Sequence, residues 1–538
     1  MVRPRLARLA LAPALVTLGF FPACADDPPA TTGGTTADTG GSTTGDGSTG
    51  APTTGATTDD GTSTGDAVPA LEYARGLRLT RVTANQAVQV EIVRDGLELP
   101  PEQYGARLIG GRKTVLRADW LLHADFTPRE LIGRLTVWTP EGETRVDEFK
   151  TMVDGPSNDG DLFTTFSWEL PASFVRPGLQ YRIEALEPDV SLATGEVSDP
   201  PPVLPLPGRG TLVVDDAPME IKVAIVPIAH TVDGMTCTPT VTEADLAAMQ
   251  RALEQHNPVE QAILTLHEPM PYGKPIGTAD DGFVSILTAL GELRAKEMPP
   301  ANLYYYGLIE SCDGYPPGLL GQAYGIPDAP TEGFAFQRIS TGRYLGSGAA
   351  AAETFVHEVG HCQGRYHIRC SGGEAGIDPA YPHSNGRIGV WGYGIHDTQM
   401  RSPTGFRDYM SYCSQSWVSD FGWELTFDTI KALTAWDMQA PGEGAGRPIV
   451  VGTLTPGGQA HWYTTRGAVP ARTDDSVLEF AAGGVVQVEA AAVRAIPDSD
   501  AVMVVAALPD VGAIGQLTLK TGGTVRAQVD GAAIVRLE

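Results

Sequence analysis

Apolar and polar residues alternate at period two in two separate parts of the chain, with a longer period between them. From about residue 68, LRLTRV, AVQVEIV, TVLRADWLL and RLTVWT alternate, with Gly, Pro and Asp between them. That pattern predicts antiparallel strands and a β-sandwich over 68–206. The proline-rich string SDPPPVLPLPGRG marks its end. From 207 the character changes. MEIKVAIVPIA (Met219 to Ala229) predicts a buried strand, and TEADLAAMQRALEQHN an amphipathic helix. Thr242 is its N-cap, and Leu246, Met249 and Leu253 share one face. VEQAILTLHEP, DDGFVSILTALGELRAKE and NLYYYGLIES continue as strand, helix and strand. GLLGQAY predicts an edge strand and FAFQRI another, before a helix from about Ser347. From 443 to 538, RPIVVGTL, HWYTTR, VVQVEAAAV, AVMVVAAL and TVRAQV alternate again, predicting a second small β domain. The expected class is multidomain α+β, with β-sandwich-like domains flanking the middle region of 207–442.

Composition narrows the function. At 538 residues the chain is too long for one core. Its 65 acidic against 38 basic residues give a formal net charge of -27, which argues against nucleic acid as a partner. Arg3, Arg5 and Arg8 precede an apolar run from Leu9 to Phe21, the layout of a signal peptide over 1–24. Cys24 stands where bacterial lipoproteins carry the lipidated cysteine, although Phe21 and Pro22 depart from the usual box. The expectation is an exported protein anchored by lipid at the cell envelope, with plain secretion as the alternative. Residues 25–67 are almost wholly Thr, Gly, Asp, Ser, Ala and Pro, too poor in apolar surface to fold, and predict a flexible spacer.

The chemistry is concentrated in HEVGHCQGRYH, His357 to His367. Residues four apart share a helix face, so His357 and His361 can present two imidazoles to one metal ion. Glu358 follows the first, placed to take a proton from a water on that ion. Gly364 can enter the left-handed region and end the helix, letting His367 return as a third nitrogen ligand. Three histidines leave a fourth position open, the layout of a catalytic zinc site.

H-E-x-x-H-x-x-G-x-x-H resembles the metzincin clan of zinc endopeptidases. Their second hallmark is a methionine turn, for which DYMSYC (Asp408 to Cys413) is the candidate. The resemblance implies Met410 in the turn under the metal and Tyr412 near the zinc or the oxyanion. Asp408 would hydrogen-bond the turn or a histidine. It also implies a twisted mixed sheet with the active-site helix, and an edge strand beside the cleft that pairs with substrate backbone. Gly318, Leu319, Leu320, Gly321, Gln322 and Ala323 are the candidates for that strand. The strings IGVWGY and SQSWVSDF look like bacterial exported peptidases related to the mucin-degrading secreted metalloproteases. Trp391 and Tyr393 either line the pocket or pack in the core, while His383 and His396 read as solvated loop residues. The expected activity is zinc-dependent hydrolysis of peptide bonds in extracellular proteins or glycoproteins. The alternative is a surface adhesion lipoprotein that keeps a zinc domain for stability.

Export permits disulfides. Cys370 and Cys413 flank elements that must meet at the metal and are the first expected pair. Cys237 and Cys312, each after a predicted strand, are the second. Other pairings remain open in the sequence, and Cys362 is left as a small buried residue.

Overall fold

The computed structural model describes residues 71–206, 208–277, 282–372, 374–438 and 446–536. The expected signal peptide, Cys24 and the spacer lie outside the described residues. The alternating N-terminal stretches form β1 (Leu77–Asn85), β2 (Gln89–Arg94), β3 (Thr114–Leu122), β4 (Arg129–Trp138), β5 (Thr144–Val153), β6 (Phe166–Leu170) and β7 (Gln180–Leu186). One sheet runs β2-β1-β3-β6 and the other β7-β4-β5. Their inward residues, among them Val82, Leu116, Leu135, Phe166 and Ile183, are fully buried, as the alternation requires. A short strand, Gly210–Thr211, pairs with β7 and carries this domain past the proline-rich string that was expected to end it.

The middle region builds on β8 (Glu220–Val232), whose long apolar run is buried on both faces of a largely parallel sheet. α1 (Glu243–His256) follows, with Thr242 and Asp245 forming a reciprocal capping box. Next come β9 (Gln261–Leu266), α2 (Val284–Glu297), β10 (Leu303–Ile309), β11 (Gly321–Ala323) and β12 (Ile339–Arg343). β8, β10 and β12 are parallel, and β11 closes the sheet antiparallel to β12. α3 (Gly348–Cys362) starts at Ser347, whose side chain accepts from Ala350 N. α4 (Asp420–Ala435) packs nearby, capped by Ser419.

Two expected strands differ in the structure. FAFQRI is not a strand through its length: Glu332–Gln337 is a 3-10 helix, and β12 begins only at Ile339. Phe334, Phe336 and Gln337 are all buried, so the alternation that suggested a strand came from packing on several sides. The edge strand is likewise three residues rather than six, because Gly318 has a φ of +74° and the chain straightens only at Gly321.

The C-terminal strands β13 (Arg447–Leu454), β14 (Ala460–Gly467), β15 (Val477–Ala482), β16 (Val485–Ala495), β17 (Val502–Ala507), β18 (Gln516–Thr521) and β19 (Thr524–Asp530) form one sheet ordered β19-β18-β15-β16-β17-β13-β14. One face of β13 and β17 is continuous with the middle region. Ile449, Val451, Met503 and Val505 share an apolar core with Ile286 and Leu290 of α2 and with Phe336. At about 1.5–3 kcal/mol for each such side chain buried, this contact fixes the domain in place. On the other side, the buried guanidinium of Arg112 donates to the carbonyls of Gln86, Glu254 and Val259 at 2.9, 2.7 and 2.6 Å, tying the N-terminal sandwich to α1. Strand outweighs helix overall, and among the described residues no helix is long and apolar enough to cross a membrane.

Candidate metal centre

α3 carries His357 and His361 one turn apart on its buried face. Gly364, at φ +91°, reverses the chain directly after the helix, and Arg365 N donates back to Gly360 O (3.1 Å). A loop then folds His367 against the first two, held by Asp378 N donating to His367 O at 2.8 Å. The ligand atoms of His357, His361, His367 and Asp498 all lie within 4.8 Å of one another.

Each ring is oriented from behind by a backbone carbonyl. Nδ1 of His357 meets Tyr409 O at 2.8 Å, Nδ1 of His361 meets Arg365 O at 2.7 Å, and Nδ1 of His367 meets Ala375 O at 2.6 Å. A carbonyl only accepts, so each Nδ1 carries the proton and each Nε2 turns a lone pair to the common centre. His361 Nε2 and His367 Nε2 are 3.0 Å apart, and His357 Nε2 is buried with no hydrogen-bond partner. Lone pairs facing one another at that distance repel unless a cation or proton stands between them. The donor set therefore fits a metal ion.

Met410 is fully buried under α3. A Cβ placed on Gly360 would lie 2.5 Å from Met410 Sδ and 2.9 Å from the Tyr409 ring, so only glycine lets the turn come this close. The buried carboxylate of Asp408 shapes the turn by accepting from Met410 N (2.9 Å) and from the Ser419 hydroxyl. It also faces the buried Arg365 guanidinium at 3.4 Å. Asp408 touches no histidine ring; it acts through the turn that positions Tyr409 O. Disulfides Cys370–Cys413 and Cys237–Cys312 are both formed, and Cys362 is free and buried. The first ties the chain after His367 to the methionine turn. Disulfides belong to an oxidising compartment and are consistent with export.

The centre opens into a cleft of about 930 Å³. Gly318, Leu319, Leu320 and Gly321 line one side of it. Gln322 and Ala323 do not; both are fully buried, and Gln322 Nε2 donates to Pro497 O (2.9 Å) of the C-terminal domain, which caps that end of β11. Glu358 projects into the cleft beside Gly321, its Oε2 buried without a partner. Burial pushes its carboxyl well above the ordinary range, and the Asp498 charge adds to that. Tyr412 is half exposed; its hydroxyl is 3.2 Å from His367 Nε2 and donates to Asp498 Oδ1.

His383 and His396 sit elsewhere, paired with Asp420 (2.6 Å) and Glu254 (2.8 Å). Trp391 and Tyr393 do not line the cleft. Trp391 O accepts from Gln89 N and Tyr393 N donates to Ala87 O, each at 2.8 Å, so both seal the N-terminal sandwich against the middle region. Two site residues escape the motif. Arg365, one of its unspecified positions, supplies the carbonyl behind His361 and the cation beside Asp408. Asp498, in another domain, completes the ligand group, and nothing in its neighbourhood of sequence has metal-ligand spacing.

Fold and site together define a β-rich multidomain protein with a histidine-carboxylate group able to hold a metal ion. No family model matches the chain, and no curated protein matches it. Among solved structures it is faintly similar to a calcium-binding mutant of Bacteroides uniformis beta-glucuronidase 2, at 10% identity and a TM-score of 0.13. That match covers 49% of this chain and 25% of the other, so the chain spans about a quarter of it. A Bacteroides fragilis protein described as a beta-galactosidase is also 10% identical with a TM-score of 0.13, over 86% of this chain and 74% of that one. Likenesses this weak carry no argument about fold or activity.

Proposed function

We propose that the protein is an exported zinc-dependent endopeptidase acting on extracellular proteins or glycoproteins. The observation that carries this reading is the pairing of three Nε2 lone pairs, each set by a carbonyl, with an unpartnered buried carboxylate in an open cleft. Three imidazoles and a carboxylate are a donor set suited to zinc. When bound, such an ion supplies Lewis acidity toward a water and a substrate carbonyl. Glu358, unpartnered in the cleft, takes the proton of the attacking water and returns it to the leaving amine. The Tyr412 hydroxyl stands where it can donate to the developing oxyanion. Gly318–Gly321 line the cleft in which a peptide would lie.

The ligand group also has a member that favours a second reading. Asp498 gives the site a fourth protein donor, as in a structural zinc centre, which suits a surface adhesion lipoprotein. The unpartnered Glu358 weighs against it, because a closed structural site has no use for a buried base. Cleavage of casein and of a glycoprotein by the full chain, with and without chelator, separates the two. Chelator-sensitive cleavage supports the peptidase; stoichiometric zinc with no cleavage of any substrate supports the structural centre.

A further inference from the structure

Asp498 is the one charged group at the centre for which hydrolysis has no evident need. It sits at the turn of the hairpin joining β16 to β17, in the left-handed region at φ 56°. The base of the hairpin is braced by core packing and hydrogen bonds. Ile496 N donates to Ala501 O (3.1 Å), and both residues are buried in the core shared with the middle region. Ala501 N donates to Ser499 Oγ (2.9 Å), and Gln322 of the edge strand holds Pro497 O. The carboxylate consequently has a fixed base from which to reach the histidines. Its Oδ1 lies 3.4 Å from His367 Nε2 and its Oδ2 3.9 Å from His361 Nε2. Oδ1 also takes the Tyr412 hydroxyl.

We propose that Asp498 is a carboxylate latch: a fourth metal ligand, supplied by the C-terminal domain, that holds the centre closed against substrate. This rests on the zinc peptidase reading above. An anionic oxygen on a braced turn competes for the cation against a neutral water or carbonyl with a high effective concentration. It also engages Tyr412, the hydroxyl that an oxyanion would use. Two groups of the open site are thus occupied by one side chain. Because the hairpin is anchored by Ile496, Ala501 and Gln322, opening needs only rotation of the Asp498 side chain, with the domain staying seated. The C-terminal domain is then part of the active site and sets how readily it accepts a ligand.

The test uses the full chain and two variants, Asp498→Asn and Asp498→Gly, whose residues both tolerate the left-handed turn. Each is loaded with Co(II) for absorption spectroscopy and with zinc for chelator competition, then titrated with acetohydroxamate. The latch predicts an altered cobalt spectrum in both variants and zinc affinity lower by about tenfold or more. It also predicts acetohydroxamate affinity higher by about tenfold, the factor expected for a site closed nine-tenths of the time. Turnover of a peptide substrate should rise with it. Variants with the wild-type spectrum, zinc affinity and hydroxamate affinity would overturn the latch and leave the peptidase reading intact. A changed spectrum without any gain in hydroxamate affinity would also overturn it, reducing Asp498 to a structural ligand. Failure of the wild type and both variants to take up cobalt or zinc would overturn the metal reading itself.

Discussion

Gly360→Ala is the substitution that probes how closely the turn at Met410 supports α3 and its two histidines. Alanine is ordinarily the better helix residue, by about 0.8–1.0 kcal/mol. Here its methyl would stand 2.5 Å from Met410 Sδ and 2.9 Å from the Tyr409 ring, against a comfortable separation of about 3.5–4.0 Å. Met410 and Tyr409 are both buried, so the strain must go into the turn. Overpacking of this kind costs about 1–3 kcal/mol. Set against the helical gain, the variant should range from nearly neutral to about 2 kcal/mol less stable. The more telling effect is on the centre. Tyr409 O accepts the Nδ1 proton of His357, and a turn displaced by about an ångström loses that bond. Loss of such an orienting partner typically costs 10–100-fold in metal affinity. Zinc competition titration against a chromogenic chelator, with circular dichroism to show the fold retained, measures it. An alanine variant that is about 1 kcal/mol more stable and binds zinc as the wild type does would refute the packing argument.

Two further predictions follow from the surroundings of the site. Replacing Cys370 and Cys413 by serine opens a loop with a sequence separation of 43, worth about 2–4 kcal/mol by loop entropy. The loop bearing His367 and the turn bearing Met410 should then unfold at lower urea, with zinc affinity reduced; an unchanged urea midpoint would show the bridge to be dispensable. His256 concerns acid stability. Its ring lies 4.8 Å from that of Trp417, and burial holds its pKa below the ordinary value. The unfolded chain therefore binds the extra proton first, so stability is complete above the unfolded pKa of about 6.5 and falls as pH drops through it. His256→Gln should flatten that part of the urea-midpoint profile between about pH 7 and 5. A profile parallel to the wild type would mean that His256 does not contribute to it.

Local patterns were legible where the physics is local. The alternation of the flanking domains, the Thr242 N-cap, the helix start at Ser347 and the chain reversal at Gly364 all depend on residues within a few positions of one another. So does the placing of two histidines on one helix face. What the sequence left open or missed has a different origin. Trp391 and Tyr393 read equally as pocket or core because an aromatic side chain packs in either, and only the tertiary fold brings Ala87 and Gln89 to them. Phe334 and Phe336 alternate like a strand but lie in a 3-10 helix buried between domains. Gln322 and Ala323 were candidates to pair with substrate, but the C-terminal hairpin engages Gln322 and Ala323 is buried in the core. Asp498 was beyond reach altogether. Its turn is an ordinary hairpin by sequence, and its meaning comes from a domain contact that no spacing rule encodes.

The central claim is that Glu358 works as a base beside a metal held by His357, His361 and His367. The direct measurement is peptide cleavage by the full chain and by Glu358→Gln, with bound zinc counted in both by elemental analysis. The account predicts one zinc per chain in each protein and a loss of about 10²–10⁴ in turnover for the variant, the usual weight of a general base. Undiminished, chelator-sensitive cleavage by Glu358→Gln would contradict it.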